Sequence, residues 1–129
     1  MKLLLDTHAF LWWLTDDEQL SSRARRAIAD GKNEIFFSAA SAWEIAIKSR
    51  LGRVSLPEDA ERYIPEQLDA NGFEALPVRL LHALRVASLP DIHRDPFDRL
   101  LVAQALVEGL VVLSNDRQLG RYAVRVVWE

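Results

Sequence analysis

Cysteine is absent from the 129-residue sequence, so there is no disulfide framework, no thiolate metal site and no cysteine nucleophile. Any metal must be held by carboxylate or imidazole, and the thiol-free composition leads us to expect a reducing, cytoplasmic compartment. Glycine is scarce as well: five scattered residues cannot build a glycine-rich phosphate loop, which argues against a nucleotide-binding module. Long apolar runs are missing. The N-terminal MKLLLDTHAF has only three consecutive leucines before Asp6, too short for a signal peptide. No stretch approaches about 18 uninterrupted apolar residues, so no membrane partner is expected. An excess of positive charge is missing too, with 16 Lys and Arg against 19 Asp and Glu and a formal net charge of −3. Taken alone, that balance speaks against a protein that coats nucleic acid or anionic membrane.

What is present is an ordinary globular composition, 50% apolar and 27% charged. The length matches one domain over 1–129, since domains run to roughly 100–200 residues. Of the 16 cations 13 are arginine, whose planar fork suits phosphate and carboxylate. Apolar runs at 2–6, 34–37 (EIFF), 73–78 (FEALPV), 110–114 (LVVLS) and 124–128 (VRVVW) read as strands. Between them, HAFLWWL (8–14) fits a helix or turn, and Ser21 or Ser22 caps a helix that Gly31 should stop. Ser38 or Ser41 opens a helix to Gly52. Pro57 suits the first turn of a helix over 57–70, which Pro65 should kink or split. RLLHALRVASL (79–89) ends before Pro90, a loop follows, DPFDRLLVAQALVEG is closed by Gly109, and NDRQLGRY is a turn with at most one helical turn. Near-continuous apolar strands separated by helices predict an α/β fold: a parallel sheet of four to five strands covered on both faces.

Four acids fall at one edge of that sheet. Asp6 ends the first strand and Asp116 lies two residues past the fourth, the edge where open parallel sheets place ligands. Glu44 and Asp98 lie in or near the first turns of the two most apolar helices, which begin at the same edge. Asp95, Pro96 and Asp98 also spell a complete helix start, N-cap, proline and acid, that needs no catalysis. Asp116 can serve as a turn residue or N-cap. Glu44 is the most informative, because its small and apolar neighbours predict a carboxylate at least half buried, and such a charge needs compensation. Lys48 at i+4 supplies one form of it, and a cation shared with Asp6, Asp98 and Asp116 another. All-oxygen ligation points to Mg²⁺ or Mn²⁺.

MKLLLDTHAFLWWL, SAASAWEIAIK, LPDIHRDPFDRLLVAQALVEG and VVLSNDRQL, in this order, resemble the PIN-domain ribonucleases, specifically the VapC-type toxins of bacterial toxin–antitoxin pairs. The resemblance runs end to end and implies a single PIN domain, a three-layer α/β/α sandwich. It carries the family's acidic quartet onto Asp6, Glu44, Asp98 and Asp116, with Asp116 at the family's most variable acid. It also implies Mg²⁺- or Mn²⁺-dependent endonucleolytic cleavage of RNA, a cognate VapB-type antitoxin whose C-terminal segment blocks the site, and homodimerisation. The expected chemistry is phosphodiester hydrolysis by metal-activated water, with no protein nucleophile.

Around the quartet, Thr7 and Ser114 flank ligands and can orient them or satisfy strand-end backbone. Lys48, Arg94, Arg99 and Arg117 are candidates for phosphate contact against the simpler reading of solvated surface. His8 and His93 lack a second histidine at ligand spacing and are read as supporting or loop-fixing residues, as is Asp95 in part. Of Trp12, Trp13 and Trp43, at least one of the adjacent pair should meet a partner or groove, while Trp128 reads as core. Rival readings fit less well. A phosphotransfer module would want an acidic pair after the first strand and a lysine after the last, and a haloacid-type phosphatase an aspartate where His8 stands. A catalytically idle interaction module stays open. The charge no longer counts against RNA: without the quartet, the remaining 15 acids face 16 cations.

Overall fold

Alternation along the strands decides the layers. In the computed structural model, which describes residues 1–129, β1 (Lys2–Leu5) sends Leu3 and Leu5 into one core and Leu4 into the other. The same switch recurs in β2 (Glu34–Ser38), where Ile35 and Phe37 oppose Phe36, and in β4 (Val111–Leu113), where Val112 opposes Leu113. A strand buried on both faces has to be apolar at successive positions, which is why these segments read as runs. With β3 (Glu74–Leu76) and β5 (Val126–Val127) they form one parallel sheet in the order β3-β2-β1-β4-β5. Five parallel strands are present, the upper end of the expected four to five; β3 and β5, at the sheet edges, are shorter than their apolar runs.

One face is covered by α1 (Thr7–Leu14), α2 (Ser22–Ala29) and α4 (Ala60–Asn71), which contribute Phe10, Ala24, Ile28 and Ile64 to the larger core. The other carries α5 (Leu80–Arg85), a 3₁₀ turn at Val86–Ser88, and α6 (Pro96–Glu108), with Leu101, Val102 and Ala105. The remaining helix, α3 (Ala39–Arg50), follows β2 and packs against α1, α4 and α6. Ser38 caps α3 by accepting from the Ala40 N–H (3.0 Å), and its hydroxyl donates to buried Gln104 on α6 (2.6 Å).

Three local expectations change. Pro65 sits inside α4 without splitting it. Pro65 and Glu61, the residue whose carbonyl loses its helical partner, are both exposed, so water can take that carbonyl while Ile64 and Leu68 keep the buried stripe. Pro57 lies ahead of α4, whose N-cap is Asp59. Gly31 does not stop α2: Asp30 is the cap residue, and its carboxylate accepts from the Lys32 N–H (2.9 Å). Gly109, by contrast, closes α6 in the left-handed region at φ 70°.

The chain order creates the crevice. From β1 the sheet grows through β2 and β3 to one side and through β4 and β5 to the other, so the connection reverses between β1 and β4. That reversal leaves an opening at the carboxyl ends of the two central strands.

Candidate metal centre

Asp6 stands at this opening because β1 ends there and α1 begins. Its Oδ1 accepts from the Ala9 N–H at 2.7 Å, making it the N-cap of α1, and the residue is 5% exposed. Burial raises its pKa, against the lowering effect of the Ser114 hydroxyl, the Ala9 amide and His8; Asp116 adds a further raising charge.

Glu44 lies one turn deeper in α3 than expected, in the second turn, and is 6% exposed. Its compensation comes from two sides. The Thr7 hydroxyl donates to Oε1 at 2.6 Å, and Lys48 Nζ reaches Oε2 at 2.5 Å. The i+4 pair weighed from sequence is therefore formed, and Thr7 joins the first turn of α1 to α3.

Asp98 occupies the first turn of α6, behind the cap that its neighbours spell. Asp95 Oδ1 accepts from the N–H groups of Phe97 (2.8 Å) and Asp98 (3.3 Å). The geometry shows the N-cap reading of Asp95, and the residue also lines the cleft. Burial pushes the pKa of Asp98 up to about 7, helped by the charges of Asp95, Asp6 and Glu44 and opposed by His93. The helix N-terminus favours an ionised acid here, whereas burial and negative neighbours favour the protonated one.

Asp116, just past β4, is held by its surroundings. Its backbone N–H donates to Ser114 Oγ (3.0 Å), Oδ1 accepts from the Gln118 N–H (2.9 Å), and Oδ2 lies 2.7 Å from His93 Nε2. The same nitrogen is 3.2 Å from Asp98 Oδ2. His93, read from sequence as a supporting residue, thus stands between two proposed ligands.

These groups line a single cleft of about 270 Å³ formed by Asp6, Thr7, His8, Glu44, Lys48, Asp95, Asp98, Asn115 and Asp116, with no hydrophobic residue in the wall. All four acids of the quartet are brought together. Carboxylates alone at such density raise one another's pKa, and a hard divalent cation matches this oxygen-rich donor set. His8 is exposed at the rim, its ring stacked on Trp12 at 5.5 Å.

Not every flanking cation is available. Arg99 is a correction: its guanidinium donates to the carbonyls of Pro90 (3.0 Å) and Val86 (3.1 Å), so it holds the loop before α6 instead of facing the cleft. Arg94 is exposed in a neighbouring depression, and Arg117 in another that shares Asn115 and Asp116 with the cleft. Sequence reasoning missed Asn115, whose place between Ser114 and Asp116 was the available signal. It also missed Tyr122, whose hydroxyl accepts from the His93 N–H at 2.8 Å and which no local pattern reveals. Trp12 and Trp13 both pack partly against the larger core, as does Trp128, while Trp43 is 63% exposed and meets Phe97 edge-on at 5.5 Å.

Comparison with known proteins places this arrangement. The family model for the PIN domain matches residues 3–125. Ribonuclease VapC22 of Mycobacterium tuberculosis is 30% identical over 118 residues, 91% of this chain and 88% of the relative. Ribonuclease VapC16 of the same organism is 41% identical over 61 residues, 47% of this chain, and the match spans less than half of that relative, 43%. Among solved structures, VapBC2 from Rickettsia felis bound to a DNA fragment from its promoter superposes with a TM-score of 0.74 at 14% identity, covering 100% of both chains. A sheet that reverses at β1, acids gathered at its carboxyl edge and a family match over nearly the whole length agree: the chain belongs to the PIN domain family, among the VapC-type ribonucleases.

Proposed function

We propose that this chain is the toxin of a toxin–antitoxin pair and hydrolyses RNA phosphodiester bonds at the cleft holding Asp6, Glu44, Asp98 and Asp116, with Mg²⁺ or Mn²⁺ as cofactor. The observation that carries the proposal is the convergence of four acids from four separate segments in one cleft without a hydrophobic lining residue. Its metal-free electrostatics are unfavourable enough to lift Asp98 to about 7.

In this reading each residue has a task. Asp6 and Glu44 are fixed from within by the Ala9 amide, Thr7 and Lys48, and form the floor of the site. Asp98 and Asp116 form its mouth, and Asp98 would hold a cation as the ionised carboxylate. A bound Mg²⁺ or Mn²⁺ would supply an activated water and offset charge on the scissile phosphate. Lys48 in the cleft wall, Arg117 in the depression that adjoins it and exposed Arg94 are the candidates for holding RNA phosphates.

A VapB-type antitoxin and a second copy of the chain are the proposed protein partners. The solved relative from Rickettsia felis is a VapBC assembly. This chain exposes Trp43 and Ile47 along α3, Leu51 at its C-cap, and Leu80, Leu81 and Leu84 on α5, surface that suits protein contact. No helix is long and apolar enough to cross a membrane, and we place the protein in the cytoplasm on its lack of cysteine.

One observation favours a catalytically idle module: Lys48 and His93 already contact three of the four acids. A single assay separates the readings. Purified chain, freed of antitoxin, is expected to cleave cellular RNA in Mg²⁺ or Mn²⁺ and to stop in EDTA, with the new 5′ ends naming the cleavage sites. Cleavage unaffected by EDTA, or none under any divalent ion, refutes the proposal.

A further inference from the structure

The loop before α6 carries a histidine whose ring is engaged at both nitrogens. His93 Nδ1 lies 3.1 Å from the backbone N–H of Asp95, while Nε2 lies 2.7 Å from Asp116 Oδ2 and 3.2 Å from Asp98 Oδ2. A backbone amide can only donate, so Nδ1 has to present its lone pair. The ring hydrogen then sits on Nε2 and is donated to Asp116, with Asp98 Oδ2 beside it at 3.2 Å. The side chain is 15% exposed, and its loop is tied down by the Tyr122 hydroxyl and by Arg99.

His93, Asp98 and Asp116 each bring one donor atom within 4.8 Å of the others, a spacing that would suit a mixed nitrogen and oxygen metal site. The Asp95 amide argues the other way. A ligating Nε2 must be bare, which moves the hydrogen to Nδ1 and aims it at another N–H. Metal-bound histidines donate from their second nitrogen to an acceptor, and here that place is taken by a donor.

We propose that His93 is a positioning residue: its Nε2–H, donated to Asp116 and lying against Asp98, sets the separation of the two acids across the mouth of the cleft and leaves the metal an all-oxygen ligand set. The role rests on the reading of the cleft as a divalent-ion site. Asp116 is held at its other oxygen by the Gln118 N–H, so the bridge fixes its carboxylate at both ends. Asp98 is on a helix and Asp116 on a loop, and His93 is the one side chain paired by a polar contact with both.

Long-range ¹H–¹⁵N correlation through the imidazole ring of ¹⁵N-labelled protein, recorded without and with Mg²⁺, reads the ring directly. The expected result is Nε2 protonated and Nδ1 bare in both states. A hydrogen on Nδ1, or an Nε2 stripped of its hydrogen when Mg²⁺ is added, overturns the proposal. Mn²⁺ affinity, followed by the electron paramagnetic resonance of the free ion, tests the positioning. His93→Gln keeps a donor amide and is expected to bind within about threefold of wild type, whereas His93→Leu loses roughly tenfold or more. Equal affinity in all three proteins, or equal loss in both variants, overturns it. Should His93→Leu fail to fold, the wild-type ring spectrum and His93→Gln still decide. Wild-type protein that binds no Mn²⁺ refutes the functional reading itself, and the ring spectrum of the same sample distinguishes that failure from a wrong hydrogen-bond assignment.

Discussion

Asp6 and Glu44 form an inner pair, 5% and 6% exposed, and Asp98 and Asp116 an outer pair whose side chains are 24% and 33% exposed. The inner pair is the more buried, yet each member has close local donors: the Ala9 amide for Asp6, Thr7 and Lys48 for Glu44. The outer pair shares one histidine between two carboxylates, and Asp98 feels the charges of Asp95, Asp6 and Glu44 together. Close donors do not cancel depth, however: burial still raises the pKa of Asp6 against the Ser114 hydroxyl and the Ala9 amide. An added cation therefore relieves one acid of each pair, Asp6 inside and Asp98 at the mouth, and only the outer one is open to solvent.

The comparison can be broken at several points. The largest effect is on catalysis: Asp98→Asn is expected to lower metal-dependent RNA cleavage by about 100-fold or more, measured as initial rate on a labelled RNA. Lys48→Met tests the inner pair, leaving Glu44 buried with one donor fewer. Because the lysine is one-third exposed and water can partly replace it, the expected loss is about 1–3 kcal/mol in urea unfolding, below that of a fully buried pair.

The outer pair should respond with the opposite sign. The pKa of Asp98 is raised from 3.8 to about 7, so folding favours its protonated form. That contribution is fully present below pH 3.8 and lost as pH rises through 7. Without metal, Asp98→Asn should accordingly be more stable than wild type at pH 8, by about 1–2 kcal/mol once solvent screening of this partly exposed group is allowed for. The gain should vanish at pH 4, which thermal melts in EDTA at the two pH values will show. The smallest effect is at the cap, where Asp95→Ala is expected to cost about 1 kcal/mol of stability while removing one of the charges that raises Asp98.

The sheet, its covered faces and the acid quartet were legible because they rest on local grammar. Apolar runs mark β1, β2 and β4, and Asp95-Pro96 marks the start of α6. What was not legible depends on distant parts of the chain meeting. The Tyr122 hydroxyl on the His93 amide joins positions 29 apart, and the His93 ring reaches Asp116 across 23. Arg99 looked like a free cation because sequence cannot show that the loop it follows turns its carbonyls toward it. Pro65 misled for a related reason: a helix breaker is tolerated where the orphaned carbonyl faces water, and exposure is a property of the assembled fold.

The measurement that bears most directly on the account is Mn²⁺ affinity as a function of pH, for wild type and Asp98→Asn. If the acids form one cation site for which protons on Asp98 and Asp6 compete, wild-type affinity should rise by at least about tenfold per pH unit up to about 7, while Asp98→Asn binds weakly throughout. Affinity that is flat from pH 5.5 to about 8, or equal in the two proteins, would contradict it.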